Sequence, residues 1–168
     1  YGILESDDWN VFCTCAIAGF DPFKVHTDDE VAKFTEAAKR IFAGKKLVGD
    51  IATNNQALVS GEIDFYLTGG VYSVSPARAD GHKNLRGITP KKGPFAGGKG
   101  GISWIEITSV VNNPSVSPLA EEFLAYVQDP KMSHTVAFAE GTFNPVTQMG
   151  NPECFSLFSK EELDTIQW

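Results

Sequence analysis

The chain has 168 residues, 42% of them hydrophobic and 21% charged, with a formal net charge of −7 and a pI of about 4.9. That size and balance suit one globular domain with a full apolar core. The acidic excess disfavours nucleic acid and anionic membrane as partners, and no apolar run approaches the length of a transmembrane helix.

In chain order, Tyr1 to Glu5 reads as a short apolar strand. Ser6, Asp7 and Asp8 are suited to cap the helix that follows, which carries Trp9, Phe12, Ala16 and Ile17 and stops at Gly19. Thr27 and Glu30, three apart, form a capping-box pattern. The helix it opens places Val31, Phe34, Ala38, Ile41 and Phe42 on one stripe and closes at Gly44. A strand is predicted over Lys46 to Ile51, and a short helix over Thr53 to Ser60 with Asn54 and Asn55 in its first turn. A strand over Ile63 to Leu67 runs into the loop Thr68-Gly69-Gly70, followed by a helix over Val71 to Ala79 that Pro76 weakens. Leu85 to Ile88 reads as another strand, and Pro90 to Gly101 as a long mobile loop or a hairpin arm.

The segment from Gly100 to Val111 reads as one strand with two unlike faces. Ile105 and Ile107 point to a core, while Trp104 and Glu106 share the other face about 7 Å apart. An aromatic ring beside a carboxylate suits an organic cation, since the ring offers its π face and the carboxylate neutralises the charge. Trp104 has a second reading as plain core. Glu106 favours the cavity wall, because a buried carboxylate needs a partner. Two capped helices follow, one opening at Ser117-Pro118 with Leu119, Phe123, Tyr126 and Val127 as its apolar face, the other opening at Asp129-Pro130 and stopping at Gly141. Ser159-Lys160-Glu161-Glu162 caps a last short helix.

Strands and helices alternate, so the predicted class is α/β: three layers, with a mixed, largely parallel sheet flanked by helices. In such sheets ligands rest at the carboxyl ends of strands, beside helix amino termini. Ser6-Asp7-Asp8, Thr68-Gly69-Gly70 and the stretch around Gly141-Thr142-Phe143-Asn144 meet that rule. Cys13, Cys15 and Cys154 have no zinc-site spacing and read as buried free thiols, with a bridge from Cys154 to the first helix left open. Glu153 beside Cys154 would raise the thiol's pKa. His26, His82 and His134 are scattered and read as solvated, and no metal or cofactor is expected. No nucleophile elbow or phosphate loop appears, so catalysis is the less favoured class.

This order of elements resembles one lobe of a bacterial solute-binding protein of the ABC importers, and is most similar to the polyamine-binding (spermidine/putrescine) group. The resemblance rests on Glu5-Ser6-Asp7-Asp8 at the end of a strand, Gly61-Glu62-Ile63-Asp64-Phe65, Gly100-Gly101-Ile102-Ser103-Trp104-Ile105-Glu106, Asp129-Pro130-Lys131 and Gly141-Thr142-Phe143-Asn144-Pro145. It implies a type II periplasmic-binding-protein lobe spanning residues 1–168, the second of two, cut from a longer chain whose first lobe supplies the other half of a cleft. It implies a periplasmic protein that takes a small cationic solute and docks on a membrane permease. Carried over residue by residue, it places Trp104 and Glu106 on the ligand, with Asp7 or Asp8 as a first acid. The family's aromatic after the Gly-Glu strand falls at Thr68 or Gly69, with Tyr66 or Tyr72 as a substitute, and its later aromatic falls at Thr142 or Phe143. A ligand-sensing lobe of a regulator is the alternative reading.

Overall fold

A computed structural model of the chain describes residues 1–102, 107, 109–112, 114–115, 117–139 and 150–165. The chain divides into two compact units, Tyr1–Ile102 and Ser103–Trp168.

The first unit is α/β. Strand β1 (Gly2–Leu4) is followed by helices α1 (Asp7–Ala18) and α2 (Asp28–Gly44), strand β2 (Leu47–Gly49), helix α3 (Ile51–Ser60) and strand β3 (Tyr66–Leu67). The strands form a parallel sheet in the order β2-β1-β3, with Gly2 opposite both Leu47 and Tyr66. A central first strand with β2 on one side and β3 on the other is what two right-handed crossovers produce when their helices lie on opposite faces. The face of β1 that Gly2 occupies meets α3: a Cβ at Gly2 would overlap Asn54 Oδ1 and come within 2.9 Å of Ile63 Cδ1. Ile3 turns to the opposite face, as strand periodicity requires, and is fully buried.

Local chemistry sets most boundaries. Gly19 and Gly61 adopt left-handed conformations (φ 90° and 75°) and close α1 and α3. The Thr27–Glu30 box forms in both directions, with Thr27 N donating to Glu30 Oε2 at 2.9 Å and Glu30 N to Thr27 Oγ1 at 3.3 Å. The stripe on α2 is narrower than the sequence predicts. Ala37 is buried, with Phe34, Ala38 and Ile41 half-buried around it, whereas Val31 and Phe42 are exposed. Val31 sits on the solvated first turn. Phe42 lies a step round the helix from Ile41, its ring under the Lys45 ammonium at 5.8 Å.

Three expectations are corrected in the second half of this unit. The strand expected from Ile63 shortens to Tyr66–Leu67, because the amides of Glu62 and Ile63 close α3 by donating to Ala57 O. The helix expected over Val71 to Ala79 breaks into a 3-10 turn (Val71–Val74) and α4 (Ser75–Ala79), with Pro76 in the opening turn, where a missing amide proton is harmless. No strand forms over Leu85 to Ile88. Arg78 Nη1 takes the carbonyls of Lys83 and Leu85 at 2.8 and 2.7 Å, and Ile88 is exposed. Residues 90–101 form a tight hairpin-like arm, with Phe95 bridged to Lys99 and Gly93 N donating to Gly98 O at 3.1 Å.

The second unit contains α5 (Leu119–Val127), α6 (Pro130–Ala139), α7 (Pro152–Phe155) and α8 (Lys160–Thr165). Its described core is Ala137, Cys154 and Phe158 with Leu163 against them. Ser159 and Glu162 form the expected reciprocal cap, with Ser159 N donating to Glu162 Oε2 at 2.6 Å and Glu162 N to Ser159 Oγ at 3.2 Å. Helix α7, capped by Asn151 Oδ1 accepting from Glu153 N and Cys154 N, is one the sequence reading did not include. Ile107, expected in a core, is 86% exposed. The expected apolar face of α5 is exposed as well: Leu119, Phe123 and Tyr126 point outward, and Ala120, Leu124 and Val127 make its more sheltered side. Amphipathic spacing identifies a face but not what covers it.

Candidate functional site

The parallel register decides which side chains meet. Leu4 pairs with Gly49, so the next residues, Glu5 and Asp50, leave the sheet side by side at the carboxyl ends of β1 and β2. Glu5 N donates to Gly49 O at 2.8 Å and holds them in step. An open cleft of about 400 Å³ lies there. Leu4, Glu5, Ser6 and Trp9 line it from β1 and the start of α1. Asp50, Ile51 and Ala52 line it from the start of α3, and Tyr72 from the turn after β3. This is the location at which doubly wound sheets take ligands.

The walls are clamped by asparagines. Asn10 Nδ2 donates to Leu4 O at 3.0 Å. Asn54, fully buried, donates from Nδ2 to Ile3 O, Gly49 O and Asp50 O at 3.2, 2.7 and 3.0 Å. Asn55 Nδ2 donates to Ser73 O at 2.8 Å and so ties α3 to the turn that carries Tyr72. Leu4 O, Gly49 O and Asp50 O also accept from the amides of Ser6, Glu5 and Asn54, and the asparagine side chains add a second donor to each.

The electrostatics favour a cation. Two helix amino termini open on the cleft, and alone they would suit an anion. However, the acids outweigh them: Glu5 and Asp50 line the cleft, Asp7 and Asp8 stand exposed on the first turn of α1, and no lysine or arginine is among the described lining residues. Asp50 Oδ1 accepts from Thr53 N at 2.7 Å, and this bond holds its carboxyl below the usual carboxylate range, so it is ionised at neutral pH. Trp9 and Tyr72, both half-buried, supply two ring systems to the same space. Acids with aromatic faces are complementary to an organic ammonium or guanidinium group.

Of the residues singled out from the sequence, Tyr72 lies in the cleft, and Asp7 and Asp8 are beside it on α1. Trp104, Glu106, Thr142 and Phe143 lie outside the described residues. Thr68 and Gly69 are half-buried in a tight turn and do not line the cleft. Thr68 takes a left-handed φ of 73°, and its amide donates to the Cys13 thiol. Gly70 N donates to Ser73 Oγ at 3.2 Å. Two of the turn's amides are therefore engaged inside the fold rather than offered to a ligand.

Glu5, Trp9 and Asp50 are among the lining residues that sequence reasoning did not assign. The signal for Glu5 and Asp50 was their position just past two parallel strands, but the pairing register that joins them is a long-range property. Trp9 looked like one more apolar residue on a helix.

The remaining reactive groups lie elsewhere. Cys13, Cys15 and Cys154 are free thiols, and no bridge joins Cys154 to α1. Burial raises all three pKa values, with Asp21 adding to the effect at Cys15, and Asp129 and Glu153 at Cys154. His26 and His134, expected in solvent, are half-buried, each with a ring nitrogen 3.7 Å from a carboxylate, Glu30 and Glu162 respectively. Among the described residues, no group of three or more His, Cys, Asp or Glu side chains is placed to hold a metal ion. Compared with known proteins, the chain matches no family model, no curated protein and no solved structure.

Proposed function

We propose that this chain is a ligand-binding lobe for a small organic cation, of the kind used by ABC import systems, working in the periplasm with a second lobe that closes over the solute and a permease that receives it. The observation that carries the reading is the cleft at the strand ends, lined by Glu5, Asp50, Trp9 and Tyr72 with no basic side chain among them. The resemblance to polyamine-binding proteins supports the same ligand chemistry from separate residues.

The mechanism is binding without a chemical step. The solute's ammonium pairs with Glu5, Asp50 completes the neutralisation, and the rings of Trp9 and Tyr72 cover the methylene portion. Each charge-assisted contact that loses its water contributes about 1.5–3 kcal/mol. Closure of a second lobe would exclude water and shift the population toward the form a permease accepts.

Calorimetric titration with putrescine, spermidine and choline, with acetate and glucose as controls, tests the reading. The amines should saturate the chain and the controls should not. One lobe offers half a cleft, so the dissociation constant should be weak. Glu5→Gln should weaken amine binding about tenfold or more. Glu106→Gln, run in parallel, separates this cleft from a site on the Trp104 segment. Saturation by none of the amines sinks the reading, and an amine affinity untouched by Glu5→Gln moves the site away from the cleft.

A further inference from the structure

The net charge of −7 conceals a sharp segregation. Residues 78–99 hold six of the chain's fourteen Lys and Arg (Arg78, Lys83, Arg86, Lys91, Lys92 and Lys99) and one of its twenty-one acids, Asp80. This segment is +5, so the remainder of the chain is −12. We propose that this segment, centred on the arm of residues 90–101, is a docking surface for an anionic lipid bilayer.

The folding of the arm concentrates the charge. The backbone on either side of the Phe95–Lys99 bridge runs close together: a Cβ at Gly100 would lie 2.5 Å from Lys92 O and 2.6 Å from Pro90 O, and one at Gly93 would lie 2.9 Å from Lys99 O. Lys91, Lys92 and Lys99 thus come from adjoining backbone, and all three are exposed. Among the described residues none of them, nor Lys83, is paired with a carboxylate. Like charges held together without counter-charges raise the energy of the free arm, and an anionic surface relieves it.

Three features favour a lipid surface over other polyanions. Four of the six cations are lysines, compact point charges suited to a diffuse anionic surface, while protein interfaces enrich arginine and deplete lysine. Ile88 stands 84% exposed between Arg86 and Lys91, an apolar side chain flanked by cations as in interfacial membrane segments. The arm's one aromatic ring, Phe95, is buried, so no stacking platform for nucleic acid bases is present. At physiological ionic strength fields are screened within about 8 Å, so the −12 remainder does not cancel a local contact.

Sedimentation of the 168-residue chain with phosphatidylcholine vesicles, with and without about one-third phosphatidylglycerol, tests this. Binding should require phosphatidylglycerol and be lost in about 0.5 M salt. The triple variant Lys91→Gln, Lys92→Gln, Lys99→Gln should bind about tenfold or more weakly. A control triple, Lys33→Gln, Lys39→Gln, Lys45→Gln, changes net charge equally and should bind as the parent does. No binding to phosphatidylglycerol vesicles, or equal loss in both triples, overturns the proposal. So does tighter, Lys91/Lys92/Lys99-dependent retention on a single-stranded oligonucleotide than on the vesicles. Far-ultraviolet circular dichroism confirms that the variants keep the fold.

Discussion

Asn54 donates its side-chain amide to the Ile3 carbonyl at 3.2 Å, across 51 residues of chain. The same amide holds Gly49 O and Asp50 O, so one buried side chain joins the ends of β1 and β2 to the first turn of α3. Replacing it with a similar-sized apolar residue removes the shared donor that links these carbonyls, while Gly49 O keeps the Glu5 amide and Asp50 O keeps the backbone amide of residue 54. Asn54→Leu should therefore destabilise the chain by about 1–2 kcal/mol. Urea unfolding should show a lower midpoint with an unchanged slope. A midpoint like the parent's would mean that the amide does not hold the sheet ends.

Acid should weaken the helix starts. Hydrogen bonding from the Thr27 amide holds the Glu30 carboxyl below its ordinary value of 4.5, with help from the Thr27 hydroxyl and His26. The Thr53 amide does the same for Asp50, below 3.8. A lowered folded-state pKa contributes stability that is present above the unfolded value and is lost as pH falls through the folded one. The parent should therefore lose stability as pH drops below about 4.5, and Glu30→Gln should flatten that fall while starting from a lower midpoint at pH 7. Urea midpoints across the acid range would reveal the difference, and superimposable profiles would count against the capping box as a source of the pH dependence.

The thiols should be quiet until the chain opens. Raised pKa values leave less thiolate near neutrality, and Cys15 and Cys154 are buried as well. Reaction with a chromogenic disulfide reagent should be about tenfold or more slower in the native protein than in urea, with half-buried Cys13 reacting first. All three should titrate after unfolding, and a reductant should leave the melting temperature unchanged. Immediate native reaction at Cys154 would contradict its burial.

Local rules read well in this chain because their physics is local. A threonine three residues before a glutamate satisfies two amides wherever it occurs, and a glycine tolerates the left-handed turn that ends a helix. Hence the Thr27 and Ser159 boxes, the Gly19 stop and the α/β alternation could be located from the sequence. Predictions failed where a group outside the segment intervened. Arg78 took the Leu85 carbonyl, which a strand over Leu85 to Ile88 would have used. The outward turn of Leu119 and Phe123 likewise depends on what packs nearby, which spacing does not encode.

The sequence by itself determined the α/β class and the boundaries set by a capping box or a helix-ending glycine, because such caps and breakers act over three or four residues. Only the tertiary structure decided that Glu5 and Asp50, 45 positions apart, would stand together with Trp9 and Tyr72 around one cleft. Strand register and the helix clamps are long-range hydrogen-bond choices, and no short window of residues contains both partners.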